Sequence, residues 1–203
     1  MNLLAHIYLS GESDLVKVGN FMGDYVKGKR YLYYREPIRK GILLHRSIDD
    51  FTDHHRRPKK VKKLLRPAYH KYSGIVLDIF YDHFLTTNWQ NFSEVPLEKF
   101  VEDFHQILRN RFQILPASVQ SFVPRMIERR RLLSYGEFEG IRTALQMMSK
   151  HTSLPAKTEY AMGILHEHYE RFMDNFFIFF PQLIEHVRKH YNIDLRYTLN
   201  SSK

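Results

Sequence analysis

Apolar residues recur three and four apart along almost the whole chain, and that spacing rules out most folds. "LEKFVEDFHQIL", Leu97 to Leu108, sets Phe100, Val101, Phe104, Ile107 and Leu108 on one stripe of a helix. "SGIVLDIFYDHFL", Ser73 to Leu85, "GIRTALQMMSK" and the stretch from Tyr160 to Tyr191 read the same way. No run alternates strictly, and no Asn-Gly or Asp-Gly pair marks a hairpin turn. Pro96, Pro116, Pro124, Pro155 and Pro181 fall where helices are expected to start or break. The expectation is an all-α fold, a single compact domain over residues 1–203 with roughly seven to nine helices.

The residue inventory narrows the chemistry. The chain has 203 residues and no cysteine, so disulfides, cysteine-ligated zinc and a cysteine nucleophile are excluded. "MNLLAHIYLS" lacks the basic start and long apolar run of a secretory signal. "FFIFF", Phe176 to Phe180, is far too short to span a bilayer. A cytoplasmic protein with no membrane partner is expected. Lys and Arg number 31 against 22 Asp and Glu, a formal charge of +9, which favours an anionic partner. The charge is uneven: His54 to Tyr72 carries eight Lys and Arg with no carboxylate, and "RMIERRR", Arg125 to Arg131, forms a second cluster. Each reads equally as a solvated helix face.

Three segments set acids and histidines among apolar neighbours. In "LLHRSIDDFTDHH", Leu43 to His55, His45 and Asp49 are four apart, so one helix face would offer an imidazole and a carboxylate. Such spacing also occurs in ordinary surface pairs. In "DIFYDHF", Asp78 and Asp82 are four apart and His83 adjoins Asp82, all between large apolar residues. A carboxylate there needs a cation or donor unless it faces water. In "GNFMGDYVKGK", Gly19 to Lys29, Asp24 stands in an apolar turn followed by Lys27 and Lys29. Taken jointly, mixed imidazole and carboxylate ligands suit Mn²⁺, Fe²⁺ or Zn²⁺. Such an ion activates water against a phosphoryl group, and nearby basic residues would hold its phosphate. His6, in "NLLAHIYL", and His54 are read as outer groups of this site, although a histidine on an apolar face like His6 is more often a hydrogen-bonded core residue than a ligand. His151, His166, His168, His186 and His190 have no carboxylates gathered round them and read as surface or structural.

With "MNLLAHIYLS", "GNFMGDYVKG", "GILLHRSIDDFTDHH", "SGIVLDIFYDHFL" followed by Trp89, and "RRRLLSY" in this order, the chain resembles the acyl carrier protein phosphodiesterases. The likeness covers nearly the whole chain. It implies an all-helical relative of the HD-type metal phosphohydrolases, which hydrolyses the 4′-phosphopantetheine–serine phosphodiester of holo acyl carrier protein. A divalent metal, Mn²⁺ first, with Fe²⁺, Zn²⁺ or Mg²⁺ also compatible, would be the cofactor, and an acidic carrier protein the partner. By the same resemblance Asp24, His45, Asp49, Asp82 and His83 would be metal ligands. Asp24, Asp49, Asp78 and Asp82 would be the catalytic carboxylates, Asp78 as ligand or orienter. Arg46, Arg56, Arg57 and Lys27 would bind substrate. The sequence departs from the family's pattern at "DHHRRP" and at Arg131, which bears on docking more than on chemistry. Two other functions stay open on residues alone. One is a metal phosphohydrolase acting on a nucleotide or nucleic acid, the basic tract with Tyr69 and Tyr72 serving as its contacts. The other is a basic helical binding protein without catalysis. The resemblance makes nucleic acid the less expected partner.

Overall fold

A computed structural model describes residues 1–195. Among them every regular element is helical. In chain order these are α1 (Leu3–Tyr8), α2 (Asp14–Phe21), α3 (Glu36–His54), α4 (Arg56–Tyr69), α5 (Ser73–Thr87), α6 (Leu97–Asn110), α7 (Ala117–Gln120), α8 (Val123–Glu128), α9 (Arg131–Ser134), α10 (Phe138–His151), α11 (Thr158–Glu167) and α12 (Tyr169–Tyr191). Eight of these have eight residues or more, within the expected range, and four are shorter turns of helix. None is long and apolar enough to cross a membrane.

The core is built around α5. An amphipathic helix buries one stripe, but α5 buries residues on every side: Val76, Leu77, Ile79, Phe80, Tyr81, Asp82, His83, Phe84 and Leu85. Phe80 meets Phe172 edge-on, and Tyr81 lies over Phe179 at 5.5 Å between ring centroids. "FFIFF" therefore belongs to the core, with Phe176, Phe179 and Phe180 wholly buried on α12. Full burial of one such side chain is worth about 1.5–3 kcal/mol.

Pro181 corrects one expectation. It lies inside α12, which runs unbroken from Tyr169 to Tyr191. A proline there forfeits a backbone hydrogen bond and crowds the preceding turn. The aromatic packing just before it, with Leu183, Ile184 and Val187 buried just after, holds the helix through that defect. The other four prolines singled out from sequence stand at or beside helix starts: Pro96 and Pro116 precede α6 and α7, Pro124 lies in the first turn of α8, and Pro155 leads into α11.

Two features place the site. First, α2 and α3 touch backbone to backbone. A Cβ on Gly19 would collide with the carbonyl of Ile38, and one on Gly41 with the carbonyl of Val16. Glycine at both positions lets α3 carry His45 up against the end of α2. Second, α1 is too short to hold itself together. Its first backbone amides are taken by α5: Leu4 N donates to Asp82 Oδ2 at 2.8 Å and Ala5 N to Asp82 Oδ1 at 3.2 Å. This is a helix cap supplied from 78 residues away.

Candidate metal centre

His6 from α1 and His45 and Asp49 from α3 bring their ligand atoms within 4.8 Å of one another. His45 Nε2 is 3.2 Å from Asp49 Oδ2, and His6 Nε2 is 3.1 Å from Asp49 Oδ1. Donors held by one ion at about 2.0–2.2 Å stand roughly 3 Å apart, so this spacing suits a shared cation. Asp24, in the 3-10 turn Gly23–Tyr25, adds Oδ1 at 3.4 Å from His45 Nε2.

The orientation of both imidazoles is set by Asn20, which sits fully buried on α2. Its backbone carbonyl accepts from His45 Nδ1 at 2.9 Å. Its side-chain nitrogen donates to His6 O and Ser10 Oγ. That leaves Asn20 Oδ1 as the acceptor for His6 Nδ1, at 2.8 Å. Both rings thus carry hydrogen on Nδ1 and turn Nε2 towards Asp49.

This wiring fits a metal. Neutral His6 would direct its Nε2 lone pair at two acceptors, Asp49 Oδ1 and the carbonyl of Met1, each 3.1 Å away. His45 Nε2 is buried and makes no hydrogen bond of acceptable geometry. Such an arrangement of acceptors calls for a positive charge among them, either a proton or a cation. Burial opposes charge on His45, but Asp24 and Asp49 overcome it and lift its pKa to about 9. Burial, with His45 beside it, pushes His6 the other way. Burial also works against ionised Asp49, yet the Met1 ammonium and the two histidines hold its carboxyl below the usual range. The His45 imidazole, 3.4 Å away, holds Asp24 low.

The N-terminal amine is part of the same network. It is wholly buried, 3.1 Å from Asp78 Oδ1 and 3.5 Å from Asp49 Oδ1. Burial would lower its pKa, but the two carboxylates raise it to about 10. Burial raises Asp78 despite this partner.

The site opens on a cavity of about 370 Å³, lined by Asp24, Lys27, His45, Arg46, Asp49, Asp50, Asp53 and His54 together with Gly23, Val26 and Gly28. His6 stands behind His45, off this wall.

Several expected residues lie elsewhere or do other work. Asp82 caps α1 as described, and burial pushes its carboxyl up to about 7 against the two backbone donors. His83 has both ring nitrogens occupied, Nδ1 by the carbonyl of Tyr135 at 2.8 Å and Nε2 by the hydroxyl of Tyr169 at 3.0 Å. The structure thus places Asp82 and His83 outside the gathered ligand atoms. They sit on α5, whose polar groups bury themselves against backbone and tyrosine. Asp78 reaches the cluster only through the amine. Arg46 lines the cavity, but its guanidinium donates to Val26 O at 2.7 Å and Gly28 O at 2.8 Å and lies over Tyr31. It clamps the cavity wall. His54 pairs with Asp50 on the rim. Arg56 and Arg57 open α4, one exposed and one half-buried, and neither lines the cavity. Lys27 is exposed on the wall. His6 joins the inner group rather than the outer one. Asn20 and the Met1 amine were not found from sequence, although Asn20 lies within a motif already singled out.

The family model described as acyl carrier protein phosphodiesterase matches residues 1–183. A protein of that name from Klebsiella pneumoniae subsp. pneumoniae is 34% identical over 91% of this chain and 96% of its own length. One from Enterobacter sp. is 33% identical with the same coverage, and one from Yersinia pestis 29% identical over 93% and 98%. No solved structure matches the chain. The chain belongs to the acyl carrier protein phosphodiesterase family.

Proposed function

We propose that the chain hydrolyses the phosphodiester between 4′-phosphopantetheine and a serine of holo acyl carrier protein. Water adds at phosphorus, the bond from phosphorus to the serine oxygen breaks, and that oxygen leaves with a proton. The products are apo carrier protein and 4′-phosphopantetheine. The observation that carries this reading is the cluster of His6, His45 and Asp49 at an open acidic cavity, in a chain of this family.

His6, His45 and Asp49, with Asp24 at the cavity side, would hold a divalent ion, Mn²⁺ first among those that suit nitrogen and carboxylate donors. Bound there, the ion supplies polarisation of a phosphoryl oxygen and a more acidic water. Asn20 keeps both Nε2 atoms free for it by occupying both Nδ1 atoms. Asp24 is the most exposed carboxylate of the group, so its second oxygen, Oδ2, is the site to take a proton from water entering the cavity. Lys27 offers its charge to the phosphate at the rim. Arg46 acts indirectly, fixing the wall that bears Lys27. Asp78 and the Met1 amine hold Asp49 in place from behind. Action on a carrier protein of intermediary metabolism puts the enzyme in the cytoplasm.

The test is a mass measurement. Holo carrier protein incubated with the enzyme and Mn²⁺ loses the mass of phosphopantetheine, and a chelator prevents the loss. A carrier left intact by enzyme that has bound Mn²⁺ would overturn the proposal.

A further inference from the structure

Six large hydrophobic side chains stand exposed among the described residues, and three of them fall in one short stretch: Tyr25 (41%), Leu32 (53%) and Tyr33 (89%). The same stretch is cationic. Lys27, Lys29, Arg30 and Arg35 are all exposed, and no ion pair is formed by any of them among the described residues. The nearest acid along the chain after Asp24 is Glu36, which is tied to Arg39 at 2.8 Å.

This segment is anchored at its base. Arg46 holds the carbonyls of Val26 and Gly28, and its guanidinium stands 5.1 Å from the Tyr31 ring. Tyr31 and Tyr34 pack against the core on either side of Leu32 and Tyr33. Gly28 takes a φ of +57°, a turn conformation that favours glycine. The chain is thus fixed, and the two apolar side chains project from a fixed loop beside the cavity wall formed by Val26, Lys27 and Gly28.

A rigid aromatic and a leucine ringed by unpaired cations have the make-up of a protein-docking patch, with apolar anchors inside a charged rim. Leucine offers a nucleic acid neither a stacking face nor a phosphate contact. An acidic amphipathic helix satisfies both halves of the patch, its apolar side on Leu32 and Tyr33 and its carboxylates on the cations. We propose that residues 27–35 are the docking element for an acidic helix of the carrier-protein substrate, which delivers the phosphodiester to the adjoining cavity. This rests on the hydrolase reading above.

The experiment compares steady-state kinetics on holo carrier protein for wild type, Leu32→Ser/Tyr33→Ser and Lys29→Glu/Arg30→Glu. All four residues are exposed, so the fold should tolerate the changes. KM is expected to rise about tenfold or more in each double variant, with kcat within about twofold. The charge reversal should also flatten the dependence of KM on salt. An unchanged KM overturns the proposal. So does a self-association, seen by light scattering, that Leu32→Ser/Tyr33→Ser abolishes while KM stays the same. If wild type binds holo carrier without releasing phosphopantetheine, and both variants lose that binding, the dock stands and the hydrolase reading falls.

Discussion

The imidazole rings of His6 and His45 lie face to face, their centroids 4.1 Å apart and their planes 21° apart. Stacked this closely, both cannot comfortably become imidazolium, and a single shared cation at their Nε2 atoms would remove the conflict. Replacing either ring should therefore abolish tight metal binding. His45→Ala and Asp49→Ala are expected to lose bound Mn²⁺ in dialysed protein, measured by mass spectrometry of the metal, and to lose about 10³-fold or more in activity. His6→Ala should behave like them, although it does not line the cavity. Retention of stoichiometric Mn²⁺ by His6→Ala would remove His6 from the ligand set.

Asn20 provides a finer test of orientation. Asn20→Ala removes the acceptor of His6 Nδ1 but leaves the backbone carbonyl that holds His45. Affinity for Mn²⁺, by titration calorimetry, should fall about 10- to 100-fold. Stability should fall by about 1–3 kcal/mol as buried partners are left unpaired. A loss of stability with unchanged metal affinity would leave Asn20 a purely structural residue.

Gly23 is the smallest lever on the site. A Cβ there would collide with the His45 ring itself. Gly23→Ala is expected to displace that ring and cut activity sharply while thermal unfolding changes little. Gly41→Ala should do the reverse: its collision is with the backbone of α2, so a destabilisation of about 1–3 kcal/mol should dominate.

His83 separates two readings of α5. His83→Gln should lower the melting temperature, since it breaks contacts to Tyr135 and Tyr169, and leave the Mn²⁺ stoichiometry intact. Loss of one equivalent of metal would return His83 to the ligands.

The buried amine predicts an alkaline limit. Its pKa is raised from 8.0 to about 10, so its pairing with Asp78 and Asp49 stabilises the fold fully below pH 8.0. That contribution, about 2–3 kcal/mol by the size of the shift, is lost as pH rises through about 10. Denaturant midpoints of the metal-free chain should fall across this window, and Asp78→Asn should flatten the fall. A wild-type midpoint that stays level up to about pH 10.5 would contradict the pairing.

The helical class was legible because α6 and its neighbours repeat apolar residues at helical spacing, which local sequence displays directly. Part of the candidate cluster was legible for the same reason: His45 and Asp49 share a face of α3, and Asp24 stands in a turn whose apolar surroundings single it out. His6 was underrated because its partner lies 43 positions away and its own helix is apolar. Asp82 and His83 were read as ligands because adjacent acid and imidazole in an apolar helix look like them, and they stand outside the gathered group. What satisfies them instead, the amides of Leu4 and Ala5, the carbonyl of Tyr135 and the hydroxyl of Tyr169, comes from distant parts of the chain that no local pattern shows. Pro181 misled in the same way, since tertiary packing carries α12 through it.

The capping of α1 by Asp82 has a consequence for heat inactivation. The helix bearing His6 is six residues long and borrows its order from α5. Fraying that one junction would swing His6 away from Asp49 while the aromatic interior between α5 and α12 stays shut. If His6 serves the site as proposed, activity at elevated temperature should fail at this local latch before the interior melts, and a stiffer junction should lengthen the catalytic lifetime without a better-packed core.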